Sequence, residues 1–130
     1  MDVIEVSSQR RRQLIEITSF VREAVEAAGV ADGTCHVFVP HTTAAVTINE
    51  NADPAVADDI LAALGAMVPE VRFAHAEGNS DAHLLSSLVG ASVTVPVTGG
   101  ELMLGRWQGI YLLELDGPRR REVWVSCLRV

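Results

Sequence analysis

The stretch Trp107-Gln108-Gly109-Ile110-Tyr111-Leu112-Leu113-Glu114-Leu115, followed by Asp116-Gly117-Pro118 and a second β-like run over residues 122–128, decides the fold. Its odd positions carry Trp107, Tyr111, Leu113 and Leu115 and its even positions Ile110 and Leu112, so an extended backbone is apolar on both faces. Such a strand must be covered twice. The Asp-Gly-Pro turn predicts a C-terminal hairpin with antiparallel pairing. In a chain of 130 residues one covering could be another subunit, since closed homo-oligomers bury apolar sheet surface in this way. Glu114 interrupts the apolar pattern, and a lone carboxylate there marks either an exposed edge position or a tuned acid or base.

Upstream, residues 92–97 and 102–104 read as strands around a Thr98-Gly99-Gly100 turn. Residues 3–6 and 14–17 alternate apolar with polar, with 7–12 as the turn of an opening hairpin. Thr18 or Ser19 can cap a helix in which Phe20, Val21, Ala24, Val25 and Ala28 recur at helical spacing and which Gly29 ends. Two short β-branched runs, 35–39 and 44–48, flank Pro40-His41-Thr42-Thr43. Asp53-Pro54 starts a second helix through Val56, Ile60, Leu61 and Leu64, and Ser80 or Asp81 starts a third that ends at Gly90. The fold class is α/β (α+β): one domain over 1–130, a compact two-layer or sandwich arrangement with a mostly antiparallel mixed sheet and about three helices.

Ten basic and 17 acidic residues give a formal charge of −7, which repels phosphate backbones and anionic headgroups, so neither nucleic acid nor a membrane is the expected partner. Arg10-Arg11-Arg12 and Arg119-Arg120-Arg121 sit in or after turns and read as solvated charge. No apolar run approaches the roughly 18 residues of a membrane span, and Met1-Asp2-Val3-Ile4-Glu5 is acidic where a signal peptide is basic; a soluble, cytoplasmic protein is expected. Cys35 and Cys127 lie in apolar runs and read as small buried hydrophobes.

Chemistry is concentrated in one polar stretch. His75, Glu77, Asn79, Asp81 and His83 occupy alternate positions, so an extended backbone would point all five side chains one way, with Gly78 free to turn. Asp81 at a helix start would leave His83 in the first turn, near free N–H donors, which makes an anion site. His41, His75, His83 and Glu77 also form a divalent-metal set, zinc if nitrogens dominate and magnesium if oxygens and substrate phosphates do. Against this stands an ordinary solvated loop, the commoner fate of polar residues between helices. The fourth histidine, His36, lies within a strand and reads as packed or surface-exposed.

Familiar templates fail. His75-Ala76-Glu77 matches the first half of a zinc deaminase signature, but no Pro-Cys-x-x-Cys follows. There is no nucleotide phosphate loop, no His-Glu-x-x-His and no Gly-x-Ser-x-Gly, and no nucleotide cofactor is expected.

Four segments together resemble the motif series of the YjbQ family. They are Pro40-His41-Thr42-Thr43-Ala44, Thr47-Ile48-Asn49-Glu50-Asn51-Ala52-Asp53, Glu77-Gly78-Asn79-Ser80-Asp81-Ala82-His83, and Gly105-Arg106-Trp107-Gln108-Gly109-Ile110 through Glu114-Leu115-Asp116-Gly117-Pro118-Arg119. The resemblance covers nearly the whole chain. It implies an α/β sandwich that assembles as a homotrimer, with the polar site near subunit boundaries. It also implies a secondary thiamine-phosphate synthase activity, joining a pyrimidine diphosphate to a thiazole phosphate with loss of pyrophosphate, as a weak side activity. The alternative is a trimeric module that binds a metal or small anion without turnover. Carried over by position, His41, Asn79, Asp81, His83 and Glu114 are the site residues, with His83, Asp81, Glu114 and Asn79 catalytic and His75 and Glu77 auxiliary ligands. The chain departs from the family pattern at Leu85, where lysine is common, and at Arg106, where threonine is common. Arg106 or Arg119 is then the candidate replacement for the missing positive charge on a phosphorylated ligand.

Overall fold

The computed structural model describes residues 1–130, and apolar–polar alternation accounts for its first two elements, β1 (Asp2–Ser7) and β2 (Gln13–Glu16). They do not pair with each other. β1 runs antiparallel to β8 (Arg120–Arg129), from Asp2 opposite Val125 to Ser7 opposite Arg120, while β2 runs antiparallel to β7 (Gln108–Glu114). Both expected hairpins are therefore absent, because the chain changes sheet between β1 and β2 and again between β7 and β8. The two crossings satisfy each other. Ser8 N–H donates to the Arg119 carbonyl at 2.9 Å, and Gly117 N–H donates to the Arg11 carbonyl at 3.0 Å, so backbone groups that a hairpin turn would pair locally are paired across the molecule.

With β3 (Gly33–Phe38), β4 (Ala44–Glu50), β5 (Ser92–Thr98) and β6 (Glu101–Leu102), the strands form a five-stranded sheet ordered β1-β8-β3-β5-β6 and a three-stranded sheet ordered β2-β7-β4. Every pairing is antiparallel. The core between the sheets takes Val37, Val95, Val123 and Val125 from the larger and Val46, Ile110 and Leu112 from the smaller. Val21 and Val25 of α1 (Thr18–Ala28) join it. Each such side chain contributes about 1.5–3 kcal/mol on leaving water.

Gly29, left-handed at φ 65°, ends α1 as its position suggested. Thr18 does not cap the helix. Its hydroxyl accepts from Ile110 N–H at 2.9 Å and donates to Glu16 at 2.8 Å, tying α1 to β7. Asp53 does cap α2 (Pro54–Ala66), accepting from Ala55 N–H at 2.9 Å ahead of Pro54. α3 (Ser80–Val89) begins and ends where the sequence placed it.

The other face of β7 is covered from within the chain. Leu113 and Leu115 pack with Ala45, Ala82 and Leu85 in a second core that Leu61, Leu64, Val68 and Val89 flank, so α2 and α3 supply the second covering rather than another subunit. None of the three helices is long and apolar enough to cross a membrane.

Candidate functional site

The start of α3 at Ser80 governs what the polar stretch can do. A helix turns about 100° per residue, so Asp81 and His83 point almost opposite ways, and the single file expected of an extended backbone breaks up. Asp81 turns inward and is buried, whereas His83 is half-exposed and its ring meets His75 edge-on, centroids 5.5 Å apart. Glu77 stays exposed and joins neither.

Around the start of α3 the two chain crossings contribute arginines. Asp81 accepts from Arg11 at 3.1 and 3.0 Å and from Arg12 at 2.6 Å. Asn79 donates to Asp116 at 2.9 Å, and Arg119 donates to the same oxygen at 2.9 Å. The Asn79 hydrogen bond, followed by the Arg119 charge, holds the Asp116 carboxyl below its ordinary range despite partial burial. Three guanidinium groups thus face two carboxylates at a helix N-terminus that no side chain caps. Two buried polar atoms here have no partner, the Arg12 Nε–H donor and the Asn79 Oδ1 acceptor.

Beneath this group lies Glu114, fully enclosed, which excludes the exposed-edge reading. Burial pushes its carboxyl up, but hydrogen bonds from Arg121 and Ser8 and from the Asp116 N–H outweigh that, so it is held below the ordinary glutamate value. Arg121 takes both carboxylate oxygens and also donates to the Thr43 carbonyl at 3.0 Å and hydroxyl at 2.9 Å. Thr43 is two residues from His41. The pair therefore anchors the His41 loop to the sandwich.

His41 Nε2 accepts from Glu122 N–H at 2.9 Å, which requires a neutral ring with its proton on Nδ1. Burial, followed by the Arg121 charge, holds this imidazole below its ordinary value. His41 and His83 line one shallow depression of about 400 Å³ with Thr42, Ser86, Ser87, Gly90 and Ala91. Ser86 closes its floor by donating to the Thr42 carbonyl at 2.7 Å. A larger cleft of about 620 Å³ between α1 and the β5–β6 turn is lined by no histidine, so the chemistry collects in the smaller one.

The expected metal set does not assemble within the chain. No three His, Cys, Asp or Glu side chains converge to hold an ion, Glu77 stands apart, and the His41 Nε2 lone pair is already engaged. His36 is exposed against Thr94, as its strand position suggested. Arg106 stacks over Trp107 at 6.0 Å, at the far end of β7 and about 25 Å of extended strand from Glu114, so within one chain it does not reach the site. Arg119 does reach the start of α3. Leu85 is wholly buried in the second core, and the charges nearest the start of α3 come from Arg11 and Arg12.

Sequence reasoning passed over Ser8, Arg11, Arg12, Thr43, Asp116 and Arg121. Only Arg121 carried a local signal: alternation along 121–127 places it on the same face as Val123 and Val125, which face the core. The arginines of residues 10–12 carried none, since their acidic partner lies about 70 positions away.

A two-sheet α+β sandwich with an enclosed Glu–Arg pair supporting an arginine-rich helix start and a histidine-lined depression defines the class of protein. The family described as "UPF0047 protein YjbQ-like" matches residues 2–130, and the chain belongs to it. A UPF0047 protein of Methanocaldococcus jannaschii is 47% identical over 125 residues, covering 95% of this chain and 91% of that one. The UPF0047 protein YugU of Bacillus subtilis is 41% identical over 130 residues, covering 98% of each. A Clostridium acetobutylicum crystal structure, described as an uncharacterised conserved protein of the YjbQ/UPF0047 family, superposes with a TM-score of 0.95 at 47% identity over 98% of this chain and 100% of that one. A protein of unknown function from Sulfolobus solfataricus superposes at 0.94 with 38% identity, over 99% of this chain and 96% of that one.

Proposed function

We propose that the chain is an enzyme of small phosphorylated metabolites, with the secondary thiamine-phosphate synthase reaction, a pyrimidine diphosphate plus a thiazole phosphate giving thiamine phosphate and pyrophosphate, as a weak side activity. One observation carries the reading: two buried polar atoms, Arg12 Nε and Asn79 Oδ1, lack partners beside an uncapped helix start that Arg11 and Arg119 also face. Buried polar groups are rarely left unpaired, being completed by ordered water or a ligand, and a helix N-terminus flanked by guanidinium groups suits a phosphate.

In this proposal Arg11, Arg12, Arg119 and the first N–H groups of α3 hold the phosphate charge. Asn79 orients it, and His83, free on the surface of the depression, exchanges a proton with the departing pyrophosphate. Asp81 and Glu114 are positioning groups, because arginines already take their oxygens. His41, neutral, presents Nδ1–H as a donor. Three copies of the chain form the working unit: α2 covers the second core only in part, with no residue fully enclosed, and Met67, Val71, Phe73 and Leu88 remain exposed. Light scattering that returns a monomer removes this part.

The test incubates the protein with both substrates, with and without a chelator, and repeats it with His83→Ala. The enzyme reading expects pyrophosphate release above the protein-free background and a fall on the order of 10²-fold in His83→Ala. Rates equal to background in every arm end it. The second reading, an anion-binding module without turnover, is favoured by the engagement of both buried carboxylates in ion pairs, which leaves only histidines as proton-transfer groups at the depression. Saturable pyrophosphate binding with no turnover is its expected result.

A further inference from the structure

A second pair of reactive side chains lies away from this site. Cys35 of β3 and Cys127 of β8 stand directly opposite each other in the antiparallel register. Opposed residues in such a ladder project to the same face with Cα atoms about 4.5–5.5 Å apart. That range falls inside the roughly 4.4–6.8 Å a disulfide spans, so a bond can close without moving either strand. The face is the inner one, since Cys35 alternates with Val37 and Cys127 with Val125 in the main core. Access differs between them. Cys35 is wholly buried, whereas Cys127 is half-buried and lines a cleft of about 300 Å³ with Met1, Asp2, Ala24 and Ala28.

We propose that Cys35 and Cys127 are an oxidisable dithiol, which closes to a cross-strand disulfide when a hydroperoxide reaches Cys127 through this cleft. The Cys127 thiolate attacks the terminal peroxide oxygen, the O–O bond breaks, and the alcohol or water departs with a proton, leaving Cys127 as a sulfenic acid. The Cys35 sulfur then attacks the Cys127 sulfur: the S–S bond forms, the S–O bond breaks, and hydroxide leaves with the Cys35 proton as water. Two thiols and one hydrogen peroxide give one disulfide and two waters, the two electrons passing from sulfur to oxygen.

The order of attack follows from the environment. Burial, then the neighbouring Cys127, pushes the Cys35 thiol up to about 12, so the enclosed Cys35 stays a thiol, while Cys127 is the sulfur that the cleft exposes to a peroxide. Cys127 is the attacking sulfur and Cys35 the resolving one.

The experiment treats the reduced, full-length protein with graded hydrogen peroxide and follows intact mass, free thiols and non-reducing peptide maps. The expected result is loss of both thiols in step, a mass decrease of about 2 Da, one peptide pair joining Cys35 to Cys127, and full reversal by dithiothreitol. Cys127→Ser is expected to slow the loss of the Cys35 thiol on the order of tenfold or more, because the accessible sulfur is gone. Cys35→Ala is expected to let Cys127 gain oxygen instead, and Cys35→Ser serves if that variant folds poorly. Oxygen addition at Cys127 in the native protein with Cys35 still free, disulfide-linked dimers, or no reaction at either thiol would each overturn the proposal.

Discussion

Glu114 and Arg121 meet inside the sandwich, on strands of different sheets and seven positions apart, with side-chain exposures of 0% and 5%. The pair does two jobs. It neutralises two charges where water cannot, and through Arg121 it grips Thr43 and so the loop that carries His41. Removing either partner strands a charge whose desolvation is then uncompensated, at about 3–5 kcal/mol. Glu114→Gln is accordingly expected to lose about 3–5 kcal/mol of unfolding free energy in urea titration. A loss below about 1 kcal/mol would mean that the pair is solvated in solution.

The pH dependence of stability follows from the same carboxylates. The folded-state pKa values of Glu114 and Asp116 lie below their reference values of 4.5 and 3.8. Their contribution is fully present above those values and is lost as pH falls through the lower, folded ones. Unfolding free energy is expected to decline below about pH 4.5, less steeply in Glu114→Gln, as read from urea curves at successive pH values.

His41 adds a separate window at higher pH. Its folded pKa is depressed below 6.5, so the unfolded chain takes up a proton first as pH falls. Stability is expected to begin dropping below about pH 6.5, and His41→Gln to flatten that part of the curve. Histidine NMR titration gives the site directly: a His41 ring titrating at or above the value of a free imidazole would contradict the buried, neutral ring.

Gly117 has no room for a side chain. A Cβ there would lie 2.3 Å from the Arg10 carbonyl oxygen, 2.6 Å from Ser8 Oγ and 2.8 Å from Glu114 Cγ. Gly117→Ala must push the two crossings apart and is expected to cost about 3 kcal/mol, measured by thermal or chemical unfolding. Gly99→Ala makes the contrast, since no atom lies within 4 Å of its Cβ and any loss comes from φ 60° alone.

Leu85 tests the second core. Wholly buried among Ala45, Ala82, Leu113 and Leu115, it is expected to cost about 2–5 kcal/mol when cut to alanine. A much smaller loss would show that α3 is loosely held on β7.

The arginine-rich helix start makes a binding prediction. Arg12→Ala and Asn79→Ala are each expected to weaken pyrophosphate binding about tenfold or more, the value of one hydrogen bond to a charged group. Calorimetry at two salt concentrations checks this, with tighter binding expected at low salt.

The sequence by itself determined the elements. Periodicity, Asp53-Pro54, Gly29 and Gly90 placed all three helices, and the two-faced apolar strand at 107–115 required coverings on both sides, because each signal is local and acts within one or two turns of chain. The family motifs also marked His41, Asn79, Asp81, His83 and Glu114 as a group. Only the tertiary structure decided which strands pair, that both crossings pass between sheets, that Arg12 and Arg121 are partners of buried carboxylates rather than solvated charge, and that the exposed Arg11 also reaches Asp81. The reason is sequence distance. Asp81 and its arginines are about 70 positions apart, and Ser8 and Glu114 are 106 apart, so nothing in the pattern around either residue registers the other until folding encloses both.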